Sequence, residues 1–134
     1  MKIEVKKTYE VTNEDIVDIL SAFDCHNWCC TINYNKCDYA AARAKLGKDA
    51  FYEDVLAQIL FDGGVLEFVD SEDPEERYHL TLMMFMFGIR LAIEQEYYTD
   101  YNWYGDGKLD SSAIDASVAD IILQLGVFGE VRFG

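Results

Sequence analysis

Proline occurs once in this chain of 134 residues, histidine twice, and basic side chains are few: 11 Lys and Arg against 25 Asp and Glu. No Ser/Gly linker, low-complexity tract or internal repeat interrupts the sequence. Half of it is hydrophobic, so extended disorder is not expected. No apolar run reaches the roughly 20 residues that a membrane-spanning helix needs. The start, Met1-Lys-Ile-Glu-Val-Lys-Lys7, lacks the apolar core of a secretory signal. A cytoplasmic protein is expected, with the thiols of Cys25, Cys29, Cys30 and Cys37 kept reduced. No glycine-rich phosphate loop follows a strand, and no basic patch alternates with aromatics. Nucleotide binding and direct nucleic-acid binding therefore have no sequence support.

What is present is acid, unevenly placed. Residues 1–48 carry seven acids and seven bases, whereas residues 49–76 carry ten acids and no base. Residues 94–120 add seven acids against Lys108, and the chain totals −14. Such a field repels nucleic acid and anionic membrane and attracts basic surfaces. Its plain alternative is a protein kept soluble by its charge.

The length fits one domain, residues 1–134, with enough interior for a real core. Residues 2–11 alternate, Ile3, Val5, Tyr9 and Val11 against Lys2, Glu4, Lys6, Thr8 and Glu10, which predicts a half-buried strand. Thr12-Asn-Glu-Asp15 has the form of a capping box opening a helix over 13–24. Residues 28–34 read as a strand. Asp38 is the expected cap of a short helix ending at Gly47, and Asp49 of a firmer one ending at Gly63-Gly64. Val65–Val69 reads as a strand, residues 70–76 as an acidic turn, and Arg77–Leu80 as the returning hairpin partner. Thr81 caps a helix over about 82–97 that is apolar nearly all round, which predicts burial on several sides, with Leu82, Phe85, Met86, Ile89, Leu91 and Ile93 in the core. A loop over 98–112 leads to a helix capped by Asp115 and ended by Gly126 or Gly129. Residues 130–133 read as a last short strand. The expectation is an α+β fold with a mostly antiparallel sheet of about four to five strands around a buried central helix, about 82–97.

Cys25, His26, Cys29, Cys30 and Cys37 give one pair and a stray where zinc needs two pairs, so no metal site is expected. Neither His26 nor His79 lies in a catalytic motif, and no enzyme and no cofactor are expected. The loop from Asn102 can be laid on an EF-hand, with Asp106, Gly107, Leu109 and Asp110 in fitting places. Tyr104 fails at the third position, and Ala113 stands where a bidentate Glu is required. Tyr97, Tyr98, Tyr101, Trp103 and Tyr104 crowd into eight residues beside acids; aromatics of this kind anchor protein interfaces, or close a core.

Several segments carry a resemblance: Asp15-Ile-Val-Asp-Ile19, Trp28-Cys-Cys30, Gly63-Gly-Val-Leu66 with Asp70-Ser-Glu72, Leu80-Thr-Leu82, Ile114-Asp-Ala116, Ala119-Asp-Ile-Ile122 and Phe128-Gly-Glu-Val-Arg-Phe-Gly134. In these the chain resembles small acidic hypothetical proteins of phages and mobile elements from Gram-positive gut bacteria. The resemblance implies context and no catalytic residue: such elements encode anti-CRISPRs and other counter-defence proteins. The expected function is thus a non-enzymatic inhibitor, an acidic mimic seated on a basic nucleic-acid-binding surface such as that of a CRISPR effector nuclease. The residues expected to carry it are Asp62, Glu67, Asp70, Glu72, Asp73, Glu75, Glu76 and Asp106, with Tyr98, Tyr101, Trp103 and Tyr104 as anchors. The alternatives are a protein that sequesters a small signalling nucleotide, with Arg77, Arg90 and Arg132 as its cations, and a phage housekeeping or structural protein.

Overall fold

The computed structural model describes residues 1–24, 27–98 and 101–134. The fold is α+β. Its α-helices are α1 Asn13–Ala22, α2 Lys36–Leu46, α3 Tyr52–Phe61, α4 Leu82–Glu94 and α5 Ala116–Phe128. Its strands are β1 Cys29–Asn33, β2 Leu66–Asp70 and β3 Arg77–Leu80. The strands form an antiparallel sheet in the order β1-β2-β3, with Ile32 opposite Phe68 and Phe68 opposite Tyr78. The register slips between Cys29 and Thr31, so Cys30 is the extra residue of a bulge.

Local side chains start most helices. Thr12 and Asp15 form the reciprocal capping box of α1, Thr81 accepts from the Met84 N–H, and Asp115 accepts from the Val118 N–H. Each satisfies a first-turn donor that has no partner within its helix. Two expected caps move. Asn35, not Asp38, caps α2, accepting from the N–H groups of Cys37 and Asp38. Phe51, which has no capping side chain, stands before α3 in place of Asp49.

Among the described residues three strands form rather than four or five. Residues 2–11 do not enter the sheet; Glu10 alone makes an isolated bridge, to Lys108. Met1, Ile3 and Val5 are exposed. Alternation prepares a strand but supplies no edge to pair with. Residues 130–133 form no strand either, because the side chain of Gln124 ties them down. Its Oε1 accepts from the N–H groups of Arg132 (2.9 Å) and Phe133 (2.8 Å), and its Nε2 donates to the Phe133 carbonyl (3.0 Å).

The centre also moves, from α4 to α5. In α5 Val118, Ala119, Ile122, Leu123, Gln124, Leu125 and Gly126 are all buried, and the helix packs on α4, α1 and β3. In α4 only Phe85, Gly88, Ile89 and Ala92 are buried. Met83 is 83% exposed, Met86 40% and Phe87 46%, so the expected burial of Met86 is wrong, and Leu82, Leu91 and Ile93 are only half-buried. α4 and α5 touch backbone to backbone. A Cβ added at Gly126 would lie 2.6 Å from the Met84 carbonyl oxygen, and one added at Gly88 would strike the Ile122 carbonyl. Gly129, at φ +73°, ends α5. Beneath the sheet, Trp28 is ringed by Phe23, Phe68, Tyr78, Phe128 and Phe133. Its indole N–H donates to Asp120.

Candidate functional site: an acidic hairpin tip

The β2–β3 hairpin carries the acidic turn, and Asp70, the last residue of β2, builds it. Asp70 is only 9% exposed. One carboxylate oxygen accepts from the N–H groups of Glu72 (2.8 Å) and Asp73 (3.0 Å), and the other from the Tyr78 hydroxyl (2.9 Å). The backbone adds Asp70 N–H to Glu76 O and Glu76 N–H to Asp73 O, while Ser71 N–H reaches Trp28 O. The Asp73 carboxylate accepts from the Glu75 N–H at 3.1 Å.

These bonds set the local electrostatics. The Glu72 N–H first, then the Tyr78 hydroxyl and the Asp73 N–H, hold the Asp70 carboxyl below its ordinary range, outweighing desolvation. Burial first, and then Asp70, push the Tyr78 phenol up to about 12. Tyr78 therefore stays a donor at neutral pH, and Asp70 an anion.

The expected acidic set divides in two. Asp62 is occupied by Lys45 (2.8 Å) and Gln58 (3.0 Å); the bond from Lys45 is the main reason its carboxyl is held low. Glu67 is occupied by Arg77 (2.6 Å), Asn33 (3.3 Å) and His79 (3.3 Å), with Arg77 the main reason for its lowered value. Asp70 is occupied by the turn itself. Glu72, Asp73, Glu75 and Glu76 are exposed, and none of the four is paired with a cation among the described residues.

The aromatic set divides likewise. Trp103 is 0% exposed and donates its indole N–H to the Tyr97 carbonyl at 2.7 Å, so it is a core residue and not an exposed anchor. Tyr104 is half-buried, edge-on to Tyr9, Tyr98 and Trp103, and its phenol is pushed up, mainly by burial and then by Glu96. Tyr98 at 51% and Tyr101 at 72% are exposed, as is Asp106. No hydrogen bond, ion pair or ring contact among the described residues joins these tyrosines to the hairpin tip.

The EF-hand positions serve the loop itself. Asn102 accepts from the Tyr104 N–H, Asp110 accepts from the Ser112 hydroxyl, and Gly107 takes φ +79° at the turn. Among the described residues no group of three His, Cys, Asp or Glu is placed to hold a metal ion. Cys29 is buried, Cys30 and Cys37 are exposed, and Cys25 and His26 lie outside the described residues. His79 is exposed on β3 beside Glu67. The three arginines of the small-ligand reading are dispersed, each against its own carboxylate: Arg77 on Glu67, Arg90 on Glu94, Arg132 on Glu130.

Two surfaces escaped the sequence reading. One is an acidic notch of 390 Å³ lined by Glu14, Asp18, Glu53 and Asp54 together with Val17, Ser21 and Phe51. Its acids come from two helices far apart in sequence, a juxtaposition with no local signal. The other is the outer face of α4. Met83 and Phe87, four residues apart, were a legible stripe that apolar composition disguised as core. Among the described residues no helix is long and apolar enough to cross a membrane. No protein-family model, curated protein or solved structure matches the chain.

Proposed function

We propose that this chain is a non-enzymatic binding protein that occupies a basic, phosphate-binding surface of another protein. The target class is a bacterial immune effector nuclease, a CRISPR effector foremost. The observation that carries the reading is the hairpin tip. Asp70 and Tyr78 fix a turn from which Glu72, Asp73, Glu75 and Glu76 face solvent, with no cation paired to any of the four among the described residues. A channel that neutralises phosphates accepts ordered carboxylates in their place, and the attraction speeds encounter. Asp62, Glu67 and Asp70 support the scaffold in this reading, and Trp103 supports the core. Tyr98, Tyr101 and Asp106 form a second, separate contact. The target class itself comes from the resemblance of the sequence segments.

The test is a binding and protection experiment. The parent chain should bind a purified effector nuclease, with an affinity that falls as salt screens charges beyond about 8 Å, and should protect a plasmid from interference. Reversing Glu72, Glu75 and Glu76 to Lys, with Asp73→Asn keeping an acceptor for the Glu75 N–H, should leave the fold intact, since exposed charges add little stability. It should slow association and reduce protection. A folded variant that inhibits as well as the parent removes the tip from the contact. A parent that binds no effector and protects no plasmid ends the mimic reading.

A further inference from the structure

β3 is an outer strand of the sheet, and it belongs to the hairpin that carries the acidic tip. Asp70 and Glu76, opposite each other, form a hydrogen-bonded pair, Asp70 N–H to Glu76 O at 3.0 Å. Bonded and non-bonded pairs alternate along an antiparallel ladder. Phe68–Tyr78 and Leu66–Leu80 are therefore bonded pairs, and Val69–Arg77 and Glu67–His79 are not. The N–H and C=O groups of Arg77 and His79 thus point away from β2. Among the described residues no hydrogen bond from outside the sheet reaches these groups, and both residues are exposed. Backbone groups left open in this alternation are a template for another extended chain. The devices that usually blunt such an edge are missing here. The register of β3 on β2 is regular, whereas β1, the opposite edge, carries the bulge at Cys30. Pro74 lies in the turn and not on the strand, and the Arg77 guanidinium is drawn back onto Glu67 at 2.6 Å.

We propose that an extended, basic segment of the partner protein adds to this sheet as a fourth strand, along β3. The proposal rests on the reading of the tip as the contact and gives that contact a mode. Main-chain bonds to Arg77 and His79 supply affinity, and Lys or Arg side chains of the added strand, reaching Glu72, Glu75 and Glu76, supply specificity. Backbone chemistry selects an extended chain, and charge selects its sign. The acids that precede β3 pair with no cation among the described residues, so a basic strand meets open carboxylates at the start of the edge. A second copy is disfavoured, because edge-to-edge pairing would set two acidic hairpins, on chains of −14 each, against each other.

The probe is a short synthetic peptide alternating lysine and valine. Its control is the same peptide N-methylated at every residue, which keeps the charge and cannot donate to an edge. The parent chain should bind the plain peptide at least about tenfold more tightly, ~1.4 kcal/mol, and the preference should persist in salt that screens the tip. Amide hydrogen exchange at Arg77 and His79 should slow on binding. His79→Pro removes one outward N–H, and an edge strand tolerates proline where that group faces solvent. Its circular dichroism should match the parent's, and the preference should fall. His79→Ala, which keeps the N–H, should keep the preference. Equal affinity for the two peptides, binding without protection at Arg77 and His79, or a folded His79→Pro that keeps the preference each overturns the proposal. Protection of the same amides on concentrating the chain alone would assign the edge to a second copy and overturns it too. The effector nuclease separates this proposal from the reading beneath it. Inhibition lost in the tip variant but intact in His79→Pro overturns the added strand and keeps the tip. A parent that prefers the plain peptide with both amides protected, yet binds no effector, supports the edge and ends the mimic reading.

Discussion

α4 and α5 are both 13 residues long, both apolar, and packed on each other, yet they end in different environments. α5 is enclosed by α4, α1 and β3, and its one long polar side chain, Gln124, is fully buried. α4 has a narrow buried stripe, Phe85, Gly88, Ile89 and Ala92, and an apolar face in solvent. Hydrophobic composition therefore does not measure burial. What separates the helices is what else the chain brings to them. The C-terminal tail folds back onto Gln124, whereas the N-terminal segment stops short of covering α4. A polar residue in the more buried helix and uncovered methionines in the other invert the usual reading. The first marks a tether; the second marks a surface.

The contrast can be broken most strongly at the buried stripe. Phe85→Ala should cost about 3–5 kcal/mol, from lost transfer energy and the cavity left between the helices. Denaturant unfolding measures it, and a loss below about 1 kcal/mol would mean that the α4–α5 seam does not hold the fold. Next comes Gln124→Ala. It strands the Arg132 and Phe133 N–H groups and frees the tail from the Trp28 ring cluster. Both bonds are only part-buried, so each is worth about 0.5–1.5 kcal/mol. Proteolysis should cut the variant first after Arg132. Retention of parental stability and resistance would show that the tail is held by its aromatics alone.

Much of this architecture was legible locally. The Thr12–Asp15 capping box, the caps at Thr81 and Asp115, and the β2–β3 hairpin each depend on residues within a few positions of one another. Their signals lie in a short window of sequence. What failed was non-local. Alternation in residues 2–11 could not say whether a strand edge would meet them, and nothing near Val131 announced that Gln124 would hold it outside the sheet. At the candidate site, the turn was legible and its inner division was not. Seven acids between 62 and 76 look alike in sequence. Only the placement of Lys45, Arg77 and Tyr78 separates the three that hold structure from the four that face outward.

Asp70 offers a smaller effect with a distinctive pH dependence. Its folded-state value lies below the ordinary carboxyl value because two N–H groups and the Tyr78 hydroxyl donate to the anion. A carboxyl lowered on folding adds stability that is fully present above its unfolded value, about 3.9, and is lost as pH falls through the folded value. The melting-temperature gap between the parent and Asp70→Asn should thus be widest near neutrality and should close in acid. A gap independent of pH would mean that the turn needs the shape of this side chain and not its charge.

The smallest effect is expected on the open face of α4. Met83→Ala and Phe87→Ala remove side chains that are 83% and 46% exposed in the single chain. Surface substitutions of this kind usually change stability by less than about 0.5 kcal/mol. Phe85→Ala, two positions from either, should cost several times more, so the three variants measure the two faces of one helix against each other. Unfolding at high dilution, where any association is lost, gives the intrinsic values. Equal losses at Phe85 and Phe87 in the dilute chain would mean that α4 is buried on both sides after all, and the contrast with α5 would disappear.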